Sequence, residues 1–230
     1  MSAACSWIGL TLALIGPGVI ALLWSRWTPP QPSLADSAPW LAAFALLIAA
    51  VAAIAFGCER LTLADVGWGE ISWRSLLYAA ALTLFFIFIF GPLAVHALAK
   101  MKLASFGAGQ NKLAALPSWY LCLTIVIVAG GEEWLYRAYA IERLYAMTGL
   151  IWLAGAASLL AFAAVHLPLW GIGVSLTTLV SGAIFTAAYI WRRDIACLIL
   201  AHVVTDLYGL LIAPRRTHKL AAAASVHEPD

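Results

Sequence analysis

From Ser118 to Met147 the chain reads SWYLCLTIVIVAGGEEWLYRAYAIERLYAM, an apolar run that carries Glu132, Glu133 and Arg137 near its centre. About 20 residues of helix cross a hydrocarbon core, so this run is long enough to do so. An ionisable side chain at that depth costs about 2.5–3.5 kcal/mol on insertion scales, and its usual place is the interior of a bundle rather than the lipid face. The remaining sequence supplies such a bundle. Of 230 residues, 64% are hydrophobic and 10% charged, and the mean hydropathy is +0.94. A soluble domain has about 25% charged residues to cover its surface. Hydropathy outlines seven spans: Trp7 to Trp24, Trp40 to Gly57, Ser75 to Ala99, Ser118 to Met147, Leu150 to His166, Gly173 to Trp191, and Asp194 to Ile212. The expected fold is therefore all-α, a polytopic transmembrane helical bundle. An eighth element arises if the mixed segment from Arg60 to Arg74 forms an amphipathic interfacial helix.

Breakers separate the spans at Thr28-Pro29-Pro30-Gln31-Pro32, after Lys102, at Thr148-Gly149 and at Leu167-Pro168. Ten of the eleven tryptophans fall at or near span ends or in links, the depth at which indole is half solvated. Trp134 alone lies deep in a span. The chain divides into N-terminal helices with an interfacial segment (1–117), a helical core holding the buried polar residues (118–212) and a polar tail (213–230). The net charge of +2 comes from scattered Lys and Arg, which excludes a nucleic-acid surface. Arg60, Arg74, Arg143, Arg192 and Arg193 flank one membrane face. Arg26, Lys100, Lys102, Lys112, Arg215, Arg216 and Lys219 flank the other, an asymmetry too small to orient the chain. Cys5, Cys58, Cys122 and Cys197 stand apart, with no C-x-x-C pair, and suggest neither a metal nor a disulfide framework. The first apolar run lacks a basic leader and reads as a retained helix.

Three polar segments interrupt the later spans: Glu132-Glu133…Arg137, Phe162…His166 and His202…Asp206. Glu133 precedes Arg137 by four residues, the favourable order for a helical ion pair. Glu132 points about 100° away around the helix, and no residue of its own helix neutralises it. His202 and Asp206 share a helix face, as do Phe162 and His166. At about 1.5 Å of rise per residue, Glu132, His166 and the His202–Asp206 pair lie about 21, 24 and 12–18 Å from span ends. Three helices can therefore bring two acids and two imidazoles into one internal cavity. A carboxylate beside an imidazole suits water activation and proton return to a leaving amine, and a second imidazole suits a developing oxyanion. The same inventory also suits a metal held by two His and one or two carboxylates. Spacing leaves both mechanisms open.

E-E-x-x-x-R, F-x-x-x-H and H-x-x-x-D in this order on separate helices resemble the CPBP family, which comprises the type II CAAX prenyl endopeptidases and the bacteriocin-processing membrane proteins. The third motif has Asp206 where the eukaryotic and archaeal proteases tend to have Asn, as bacterial members commonly do. The resemblance implies an intramembrane endopeptidase, with Glu132 as general base, His166 as its partner, and His202 with Asp206 as the oxyanion pair. Glu133, Arg137 and Phe162 would shape the site or hold the substrate. It further implies a lipid-embedded protein of a prokaryotic plasma membrane, acting on a peptide or protein with a hydrophobic or lipid-modified segment. No cofactor is expected, since no H-E-x-x-H segment is present; a zinc ion, if used, would take Glu132, His166, His202 and Asp206.

Other readings accommodate some of these residues. Glu133–Arg137 can be a structural ion pair, His166 a helix-end cap, and His202–Asp206 a polar contact between helices. His96 reads as structural, and Trp134 and Tyr136 as packing or cavity lining. A proton-coupled transporter could use Glu132, His166 and Asp206 as a relay, but the internal repeat common in such proteins is not evident. Haem ligation by His166 and His202 leaves the glutamates and Arg137 unexplained. A non-catalytic immunity or scaffold protein of the same family would keep the motifs without cleaving.

Overall fold

The computed structural model describes residues 3–103, 110, 112–113 and 115–213, and among them there is no strand. The polar tail expected from residue 213 lies, beyond Ala213, outside the described residues, as does most of the link after Lys102. Among the described residues seven long helices follow one another along the chain. α1 spans Ala3–Trp27, α2 Leu34–Cys58 and α3 Trp73–Lys100. α4 is built from Ser118–Glu132, a π-helical stretch Glu133–Ile141 and a last α-helical segment Glu142–Thr148. α5 spans Ile151–Val165, α6 Leu167–Arg192 and α7 Ile195–Ile212. Each contains the body of one span read from hydropathy. By length and composition α1, α2, α3, α6 and α7 can each cross a membrane; α5 is a shorter apolar helix. α4 is long enough but carries its acids and arginines in the middle. The molecule is an all-α membrane bundle.

The interfacial helix expected between Arg60 and Arg74 does not form. Only Ala64–Val66 makes a helical turn, of 3₁₀ type. Arg60 and Gly67 adopt left-handed backbone at φ 58° and 71°, which breaks any continuous helix. Thr62 donates its backbone N–H and its hydroxyl to Asp65, both at 2.7 Å. These bonds hold the Asp65 carboxyl below the usual carboxylate range.

The cysteine reading also needs correction, because Cys5 and Cys58 are joined in a disulfide. They lie 53 residues apart in sequence, but α1 and α2 run antiparallel. The start of one therefore meets the end of the other, with the two Cα atoms 6.3 Å apart, within reach of an S–S bond. Beside them Ser6 donates a hydrogen bond to the buried Glu59.

α4 is the centre of the bundle, with its π-helical stretch packed against α1, α5 and α7. Every residue from Leu135 to Ile141 is buried, so this stretch faces protein on all sides. The wide turn of a π-helix often occurs at functional sites. Close approach of α2 to α4 requires the missing side chain of Gly131: a Cβ there would sit 2.8 Å from Phe44 Cε1 and against the tip of Ile48. Gly131→Leu therefore overpacks this contact and should destabilise the protein by about 1–3 kcal/mol. The check is the unfolding midpoint in detergent; an unchanged midpoint would show that the contact is looser than described. Gly182 of α6 similarly admits Phe162 of α5.

Exposed tryptophans cluster at helix ends: Trp7, Trp27, Trp73, Trp119, Trp152 and Trp191 are each more than half exposed. That distribution fits indoles at the two interfaces of a bilayer.

Candidate active site

Glu132 is the last regular residue of α4 before the π-helical stretch, and Glu133 is the first within it. Adjacent helical residues diverge by about 100°, and the two carboxylates face different surroundings. Glu132 lines a cavity of about 1070 Å³. Glu133 is fully buried behind its wall, where Arg137 Nη1 donates to Glu133 Oε1 at 3.0 Å. The helical ion pair expected from spacing is thus present.

The same Glu133 oxygen accepts a second hydrogen bond, from His202 Nδ1 of α7 at 2.8 Å. Spacing alone points to Asp206 as the group that holds His202. Instead Asp206 Oδ2 is 3.7 Å from the other nitrogen, Nε2, and Glu132 Oε2 is 4.0 Å from it. Glu133 therefore orients the imidazole from behind, and Nε2 is turned toward the two carboxylates that line the cavity. The partner lies 69 residues away in sequence, and no local pattern could have found it.

His166 forms the junction between α5 and α6, capping the end of the first and the start of the second. His166 itself keeps helical backbone, at φ −79° and ψ −18°, and the chain bends a few residues later, at the non-helical Gly171 (φ 78°, ψ 179°) near the start of α6. His166 Nδ1 lies 2.9 Å from the Phe162 carbonyl. As only an N–H can donate to that oxygen, Nε2 carries the lone pair of the neutral ring. The helix-capping and site readings of His166 are compatible, since the ring also lines the cavity.

Aromatic rings fill the space between these groups. Phe162 lies 5.0 Å from the His166 ring and 6.4 Å from the His202 ring. The Arg137 guanidinium stacks on Phe162 at 4.1 Å, which offsets part of the cost of burying a cation. Phe185 of α6, 5.4 Å from His202, also lines the cavity. Nothing in an apolar span distinguished Phe185 from its lipid-facing neighbours. His96 lines the cavity too, although its sequence context suggested only a structural residue. Tyr136 is buried against Phe162, and Trp134 stacks on Phe56 at 5.6 Å; both are packing residues.

The cavity holds Glu132, His166, His202 and Asp206 at one end. It extends past apolar side chains toward Trp24, Trp40, Leu116 and Trp170, at the helix ends opposite the disulfide. Among the described residues no group of three or more His, Cys, Asp or Glu side chains is arranged to hold a metal ion. The assembled groups can deprotonate a water, meet a negative charge and shelter both from lipid.

Residues 114–208 match the family model described as Type II CAAX prenyl endopeptidase Rce1-like. The match includes all three motifs and bears out the resemblance read from them. No curated protein and no solved structure gives a match to the chain.

Proposed function

Starting from that family match over residues 114–208, which supports a CAAX-protease-type function for this membrane protein, we propose that the chain is an intramembrane endopeptidase using a glutamate-activated water. One observation carries the proposal: Glu132, His166, His202 and Asp206, from two helices and a junction, line one cavity. In the proposed reaction Glu132 takes a proton from water while His166 Nε2 accepts a hydrogen bond from the same molecule. The oxygen attacks the scissile carbonyl carbon. His202 Nε2–H donates to the resulting oxyanion, its ring held by Glu133 through Nδ1. Collapse of the tetrahedral intermediate breaks the C–N bond, and Glu132 returns its proton to the leaving amine. The long apolar part of the cavity suits a hydrophobic or lipid-modified substrate segment.

Asp206 assists the oxyanion only as the protonated acid, because a carboxylate there would repel it. This requirement gives a test. Asp206→Asn supplies a permanent N–H donor and should retain most of the rate. Asp206→Ala should lower kcat by about 10²–10³-fold, the usual effect of losing one oxyanion donor. The assay is mass-spectrometric detection of cleavage of a farnesylated peptide by the purified protein. Equal rates for Asp206→Ala and the parent protein would remove Asp206 from the reaction. Cleavage undetectable in the parent protein with hydrophobic, farnesylated and geranylgeranylated peptides alike would overturn the enzymatic reading.

A further inference from the structure

The disulfide and the cavity lie at opposite membrane faces, and together they orient the protein. α1 begins and α2 ends at the face that holds Cys5–Cys58. Alternation in direction along α1 to α7 puts the end of α4, the start of α5 and the start of α7 at that same end of the bundle. None of the buried residues Leu135–Ile141 lines the cavity, whose lining instead includes Trp24, Trp40 and Trp170 at the opposite helix ends.

Disulfides persist in oxidising compartments and are rare where the glutathione and thioredoxin systems keep thiols reduced. We infer that the Cys5–Cys58 face looks into an oxidising, extracytoplasmic compartment, and that the cavity opens toward the reducing, cytoplasmic side, from which it receives its substrate. Charge provides a second, independent support. By sequence position seven Lys and Arg belong to the cavity face, three of them (Arg215, Arg216 and Lys219) outside the described residues, against five on the disulfide face, and of those five Arg143 is buried. Cytoplasmic flanks carry the excess of Lys and Arg. The small difference could not orient the chain alone, but it agrees in direction with the disulfide. The single cationic side chain of Lys or Arg among the described residues lining the cavity, Lys112, lies over Trp24 at 5.2 Å, on that same basic face.

The compartment assigned to the substrate rests on the proposed function of the cavity; the orientation of the chain does not. Two measurements on the full chain in a bacterial inner membrane test the orientation without any hydrolysis assay. In the first, cells are quenched with acid and the denatured protein is treated with a maleimide-polyethylene glycol. Two thiols, those of the free Cys122 and Cys197, should shift without reductant, and four after reduction. Four shifted thiols without reductant would overturn the proposal. The second uses Cys122→Ser/Cys197→Ser protein carrying either Glu70→Cys on the disulfide face or Lys102→Cys on the cavity face; both positions are exposed. A membrane-impermeant thiol reagent should block the first in intact cells, and the second only after permeabilisation. The reverse pattern, or equal blocking of both, would also overturn it. Loss of peptide cleavage in Glu132→Gln protein with either labelling outcome keeps the two questions separate.

Discussion

Glu132→Gln should lower kcat for peptide cleavage by about 10³-fold while leaving KM and the unfolding midpoint nearly unchanged. A positioned general base contributes about 10²–10⁴-fold, and the amide cannot accept the water proton. Loss of a group that acts mainly in the transition state lowers kcat and kcat/KM together. Stability should survive because the Glu132 carboxylate anchors nothing closely. It lies 4.0 Å from His202 Nε2, beyond hydrogen-bond range. The neutral isostere also removes a buried charge, which offsets the weakened attraction to His202. The measurement is steady-state cleavage of the farnesylated peptide beside thermal unfolding in detergent. Full activity in the Glu132→Gln protein would exclude a glutamate-activated water. Equal loss of activity and fold would instead make Glu132 a structural residue.

The opposite profile is expected from the neighbouring ion pair. Arg137→Met should destabilise the protein by about 3–5 kcal/mol, the usual result of leaving one member of a buried ion pair alone. Glu133 is fully buried and Arg137 is 1% exposed, so water cannot replace the missing partner. Met is close to Arg in length and keeps the packing against Phe162, so the loss reports charge rather than volume. The double variant Glu133→Gln/Arg137→Met should regain much of that stability, since removing both charges is often nearly neutral. It should nevertheless stay slow, because a neutral amide in place of the Glu133 carboxylate no longer holds His202 Nδ1 as a charged acceptor. Thermal unfolding of the parent, both single variants and the double variant completes the cycle. Additive effects would mean that Glu133 and Arg137 do not act as a pair.

These paired expectations separate the roles of two adjacent acids. Glu132 faces the cavity and makes no close bond, whereas Glu133 faces inward and joins two helices through Arg137 and His202. Catalytic loss without unfolding belongs to the first residue; unfolding relieved by a compensating change belongs to the second.

The amino-acid sequence by itself determined that the chain is a bundle of membrane helices, and where each helix lies. Lipid solvates neither charge nor backbone polar groups, so spans must be apolar and helical, and a linear pattern records both requirements. It also singled out the polar residues that the fold brings to one cavity. Glu132, His166, His202 and Asp206 stand out because each is costly in an apolar run, and Glu133–Arg137 follows from helical spacing alone. Only the tertiary structure decided how these groups meet. Which carboxylate holds His202, how Phe185 enters the site, and that Cys5 reaches Cys58 all depend on distances between helices. Hydropathy contains no information about those distances, because a residue facing lipid and one facing another helix are equally apolar. The interfacial helix failed for a related reason: amphipathic spacing suggested it, but the left-handed backbone at Arg60 and Gly67, with the Thr62–Asp65 bonds, selected a turn instead. The proposed orientation draws on both sources, as a charge bias too small to orient the chain agrees in direction with a covalent bond that only the fold could form.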